Sequence, residues 1–211
     1  MDNYDKVKLV NKDHPIFISL VFILLLTVAA QIGSLAFTSL TGDKDFQSIV
    51  LPSILLLSMV TIPLAGLGLW LGRQIGLGVP LLAALLGNEP GSWKNLFEDA
   101  KIAVPLGLAI GGLLVLVRLL TESYLPPELP AYGHRGVIGG LLVSVGAAIG
   151  EEVWFRLGMM TILVWSLMRL LGHQEIRPLV VWIVIAVTSI GFGLAHLPQL
   201  LSYGAGSFAG V

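Results

Sequence analysis

Gly150-Glu151-Glu152-Val153-Trp154-Phe155-Arg156 sets three ionisable side chains in the middle of an apolar run that extends from Gly136 to Leu171. At about 36 residues, the run exceeds one perpendicular membrane span and is too short for two spans with a loop between them. It predicts one long or bent helix. A charged side chain near a bilayer centre costs about 2.5–3.5 kcal/mol on insertion scales, so such groups are paired, face the protein interior and mark function. Two adjacent carboxylates and an arginine on such a helix are therefore the chain's candidate site.

Composition supports the membrane reading. The 211 residues are 55% hydrophobic and 12% charged, with a mean hydropathy of +0.89, too apolar for an ordinary soluble domain. The net charge of -1 gives no electrostatic reason to expect nucleic acid. With no cysteine, disulfides and thiolate metal sites are excluded.

Outward from the central run, the pattern predicts an all-α polytopic transmembrane bundle of about five spans plus an interfacial amphipathic helix. Residues 1–14 form a polar tail ending at Pro15, a residue that favours helix starts. The first apolar run, Ile16 to about Leu40, is too long for a signal-peptide core and reads as a retained span. Residues 41–45 read as a turn. A second span runs from about Ile49 to Gly72, with Pro63 expected to kink it. The apolar piece Val79 to Leu86 is too short to cross. Ser92 is a candidate N-cap for an interfacial helix over 92–101, with Trp93, Leu96, Phe97 and Ala100 on one stripe. A third span follows from Ile102 to about Leu120, with Arg118 near enough to its end to snorkel.

Residues 121–135 form a proline-bearing loop, and a hairpin over 170–177 leads through Pro178 into a last span ending near Leu201. Residues 1–135 thus form an N-terminal transmembrane region, and 136–211 a core. In that core Gly140, Ser144, Ala147 and Glu151 share a helical face, with Gly136, Gly146 and Gly150 nearby, which predicts close packing against a neighbour. Lys and Arg in the short loops alternate so that the N-terminus, residues 73–101 and the hairpin fall on the cytoplasmic side of a cell membrane.

Counting from the hairpin, Glu151 and Glu152 lie about 22 residues back and His196 about 22 residues forward, roughly 33 Å along each helix at 1.5 Å per residue. They should meet at similar depth. Phe192 and His196 share a face, and Glu152 and Arg156 have the favourable i,i+4 order. Glu152 is then neutralised by Arg156, which leaves Glu151 to face His196 as a general base and proton relay for activating water. The bland alternatives are an ion network that fixes helix packing and a transport vestibule; no convincing internal repeat supports a transporter. His14, His134 and His173 fall in loops or at interfaces. A catalytic zinc needs three protein ligands, and Glu151 with His196 supplies two at most.

Glu151-Glu152-Val153-Trp154-Phe155-Arg156 matches EExxxR, and Phe192-Gly193-Leu194-Ala195-His196 matches FxxxH. In this order on adjacent spans, the pair resembles the CPBP family of intramembrane proteases, which includes Rce1-type CAAX prenyl endopeptidases and Abi-type, bacteriocin-immunity-associated relatives. The resemblance implies hydrolysis of a peptide bond in a membrane-associated substrate, prenylated in the CAAX branch. It assigns water activation to Glu151 and His196, with Glu152, Arg156 and Phe192 in support. In the metalloprotease view of the family, a divalent metal such as zinc would be held by Glu151 and His196. The family pattern also contains a later His followed four residues on by Asn or Asp. No His follows His196, so the expectation is a core lacking its C-terminal motifs. That gap motivates a second reading, a non-catalytic Abi-type or immunity-type scaffold acting through a partner.

Overall fold

The computed structural model describes residues 16–41, 46–127, 129–130, 133–172 and 176–202. These form helices joined by turns, with no strand among the described residues. In chain order they are α1 (Ile16–Thr41), α2 (Phe46–Ile75), α3 (Pro80–Leu86), α4 (Ser92–Leu120), a 3-10 turn (Glu122–Tyr124), α5 (Gly136–Glu151), a π-helical segment (Glu152–Met160), α6 (Thr161–Leu170) and α7 (Pro178–Ser202). Helix α5, the π segment and α6 form the long helix expected from the central run. Five helices are long and apolar enough to cross a membrane, so the chain is an all-α polytopic membrane protein. The expected polar tail, the turn at 42–45, the hairpin tip with His173 and the segment after 202 lie outside the described residues.

Close backbone contacts hold α1, α2 and the long helix together. A Cβ added at Gly68 of α2 would collide with the carbonyl of Leu157, and one at Gly158 would meet the Leu64 Cβ at 2.9 Å. Both glycines are buried. On the α1 side, Gly146 faces the Ala30 carbonyl, Gly150 faces the Gln31 side chain, and Gly139 lies under the Phe37 ring. This bears out the expected close packing at Gly146 and Gly150 and corrects it at Gly140. Close packing uses the row Gly139, Gly146 and Gly150, and an added Cβ at Gly140 would meet nothing within 4 Å. The two rows differ by about one residue, roughly 100° around a 3.6-residue helix. The face carrying Gly140, Ser144 and Glu151 is thereby left free of α1.

Between apolar helices in lipid there is little hydrophobic drive, so side-chain hydrogen bonds add to this packing. Gln31 Nε2 donates to the Gly146 carbonyl at 2.9 Å. Trp154 Nε1 donates to Thr61 Oγ1 at 2.9 Å, with Thr61 fully buried. Trp165 Nε1 donates to Gln74 Oε1 at 3.1 Å. Helix α2 continues through both Pro52 and Pro63.

Helix α4 differs from the expected two pieces. Residues 92–101 and the following span form one unbroken helix, and none of its apolar window is buried. Gly91, at φ 86°, occupies the N-cap position, and Ser92 is already helical. Glycine reaches that left-handed conformation without a Cβ clash, which lets the chain turn sharply into the helix. Arg118 Nη2 donates to the Pro130 carbonyl at 3.3 Å.

Candidate active site

The motif helix and α7 converge near the hairpin and are sealed there by apolar side chains. Val164, Met168, Val180 and Val184 are all buried, with Met160, Ile75, Leu77 and Ile176 packed around them. Farther from the hairpin the two helices leave a cleft of about 300 Å³, lined by Glu151, Glu152, Phe155, Arg156, Met160, Ile185, Thr188, Ser189 and Phe192.

Glu151 Oε1 and His196 Nε2 stand 3.9 Å apart across its edge, which is the meeting at similar depth that the residue count predicts. The separation exceeds a direct hydrogen bond and suits one bridging water. His196 Nδ1 lies 2.9 Å from the Phe192 carbonyl oxygen. A carbonyl can only accept, so Nδ1–H is the donor and Nε2 is the nitrogen that faces Glu151. The Phe192 ring sits 4.5 Å from the imidazole centroid and meets Phe155 edge-on at 5.1 Å. Phe192 therefore orients His196 with both its backbone and its ring, more than its spacing alone indicated.

Arg156 Nε and Glu152 Oε2 form the expected pair at 2.9 Å. The pair is not buried. The side chains are 72% and 60% exposed, because they line the open cleft and do not point into the α1–α2 packing.

The π-helical backbone over Glu152–Met160 was not legible in the sequence, since one extra residue per turn leaves no mark in hydrophobic periodicity. Single π turns inside α-helices are frequent at functional sites. Here the wider turn accompanies a hydroxyl bond from Thr161 to the Arg156 carbonyl, five residues earlier, at 3.3 Å. Sequence reasoning also missed Thr188 and Ser189. Stepping back from His196 by four and then three reaches Phe192 and Ser189, so helical spacing would have found Ser189. Thr188 is buried and bonds the Val184 and Ile185 carbonyls, whereas Ser189 is exposed in the cleft.

The donor set does not fit a catalytic zinc. No group of three His, Cys, Asp or Glu side chains converges among the described residues, and Glu152 is engaged by Arg156.

Residues 134–211 match the family model described as Rce1-like, type II CAAX prenyl endopeptidase. This segment belongs to the Rce1-like family. The match covers the long helix and α7, the two elements that carry EExxxR and FxxxH. The family is one of CAAX prenyl endopeptidases, which implies protease activity and a peptide substrate at family level. No curated relative and no solved structure gives a match.

Proposed function

We propose that the chain hydrolyses a peptide bond of a membrane-associated substrate, with Glu151 and His196 acting on one water. The carrying observation is the 3.9 Å gap between Glu151 Oε1 and His196 Nε2. One water can donate a hydrogen bond to each of these two acceptors, leaving an oxygen lone pair for the scissile carbonyl carbon. Glu151 takes a proton as the water oxygen adds to that carbon. The C–N bond then breaks, and the proton passes to the leaving amine. Phe192 keeps the Nε2 lone pair of His196 directed at the water. Arg156 and Ser189 are the donors placed in the cleft to meet charge developing on the carbonyl oxygen. The apolar walls, Phe155, Met160, Ile185 and Phe192, suit hydrophobic residues beside the cut.

In this reading the substrate is of the CAAX type, the protein resides in the cell membrane, and its N-terminus is cytoplasmic. The test is cleavage of prenylated and unprenylated CAAX peptides by the full chain in proteoliposomes. Turnover lost in both Glu151→Gln and His196→Ala, with both variants folded, is the expected result. Retained turnover in either variant refutes the assignment, and absence of turnover in the parent protein favours a partner-binding role.

A further inference from the structure

The hairpin end of the bundle repeats one pattern on three helices. Trp70 precedes Arg73 near the end of α2, Trp165 precedes Arg169 near the end of α6, and Arg177 precedes Trp182 at the start of α7. Because α7 runs the other way, the arginine is nearer the helix end in every case, by three to five residues, or about one helical turn. Trp70 and Trp182 are exposed. Tryptophans at one level with cationic side chains just beyond them mark a membrane–water interface.

Packing brings the three ends together. Helix α6 packs on both α2 and α7, and Ile75, Leu167 and Ile176 surround one buried cluster of valines and Met168. Their neighbours Arg73, Arg169 and Arg177 therefore stand around one apolar core. Trp165 Nε1 donates to Gln74 Oε1 at 3.1 Å, which fixes the indole against α2, and the Arg169 guanidinium lies over that ring, 5.4 Å from its centroid. A guanidinium on an aromatic face keeps its N–H edge for a further partner. Among the described residues neither Arg169 nor Arg177 forms an ion pair, and both are exposed. Helices α2, α6 and α7 contain no acidic residue. Even with Glu175 of the hairpin tip, which lies outside the described residues, the sequence sets three arginines here against one glutamate.

We propose that Arg169 and Arg177, with the Trp165 ring as a platform, bind the headgroup phosphate of an anionic phospholipid in the leaflet at the hairpin end. The level of the tryptophans is that of the lipid headgroups. The planar arginine fork meets two phosphate oxygens at once. A zwitterionic headgroup brings its own cation, so an excess of arginine favours a lipid with net negative charge. Deeper in the membrane, the exposed Trp182, Ile183 and Val187 of α7 offer apolar surface to the acyl chains. The site is separate from the cleft and does not depend on the peptidase reading.

The test titrates the delipidated full-length protein, in a neutral detergent, with phosphatidylglycerol, phosphatidylcholine and glycerol phosphate. Binding is read from tryptophan fluorescence and from the rise in Tm. Each arginine near a membrane surface is worth about fivefold in affinity for anionic lipid. Phosphatidylglycerol should therefore bind about tenfold or more tighter than phosphatidylcholine, with no response to glycerol phosphate. Arg169→Gln and Arg177→Gln should each weaken phosphatidylglycerol binding about fivefold, and the double variant roughly 25-fold. Arg135→Gln, at the other end of the bundle, should leave it unchanged. Arg169→Lys keeps the charge without the fork and should fall between the parent and Arg169→Gln. The lipid-free Tm of each variant, expected at the parent value because both side chains are exposed, checks folding. Equal binding of the two lipids, undiminished phosphatidylglycerol binding in the double variant, or an equal loss in Arg135→Gln overturns the proposal. So does a response to glycerol phosphate as strong as that to phosphatidylglycerol, which would mark a site for soluble anions.

Discussion

His196 Nε2 faces Glu151 Oε1 at 3.9 Å because the Phe192 carbonyl, 2.9 Å from Nδ1, holds the imidazole in one tautomer. Two residues 45 positions apart are thus aligned by a backbone acceptor one helical turn before the histidine. Removing either functional group has a defined consequence. Glu151→Gln keeps the side-chain volume and loses the base, so cleavage should fall by about 10²–10⁴-fold, with unchanged circular dichroism and elution volume. His196→Ala should do the same. The check is turnover in proteoliposomes alongside a thermal melt in detergent.

The exposed Glu152–Arg156 pair leads to a different expectation. Had the pair been buried, removal of Arg156 would have left an unpaired charge and lowered the amount of folded protein. With both side chains open to the cleft, Arg156→Ala should change stability by less than about 1 kcal/mol while lowering the cleavage rate. Arg156→Lys, which keeps the charge and loses the planar fork, should restore activity only in part. Yield, Tm and rate measured on one preparation separate these outcomes.

Thr61 is a sensitive point far from the chemistry. Thr61→Val leaves the Trp154 indole N–H without its partner beside the π segment, at a cost of about 1–3 kcal/mol. Thr61→Ser retains the hydroxyl and should recover most of the loss. Thermal unfolding of the two variants in one detergent provides the comparison.

The packing glycines should separate sharply from the free one. Gly68→Ala drives a Cβ into the Leu157 carbonyl, a backbone atom that cannot rotate away. Overpacking of this kind costs about 1–3 kcal/mol or more, read as lost folded yield. Gly140→Ala meets open space and should leave yield unchanged or raise it through better helix propensity.

Much of this architecture was legible in the sequence because its rules are one-dimensional. Spans follow from the length of apolar runs against bilayer thickness. The meeting of Glu151 with His196 followed from equal residue counts on two helices joined by a short hairpin, and the Glu152–Arg156 bond from i,i+4 spacing. The family motifs identified the same residues. The unbroken helix from Ser92 to Leu120 was less legible, because a polar stripe and an apolar run can share one backbone.

Tertiary structure decided the rest. Which glycine row packs depends on the rotation of the long helix against α1, and a difference of one residue moves the contact to another face. The π segment packs on α2 and α7, contacts that hydrophobic periodicity does not record. The apolar seal at Val164, Met168, Val180 and Val184 also required three dimensions, since a buried valine and a lipid-facing valine look the same in the chain. The sequence by itself determined that charged groups meet within the membrane; only the packing of helices around them decided which side chains are buried between helices and which line the cleft.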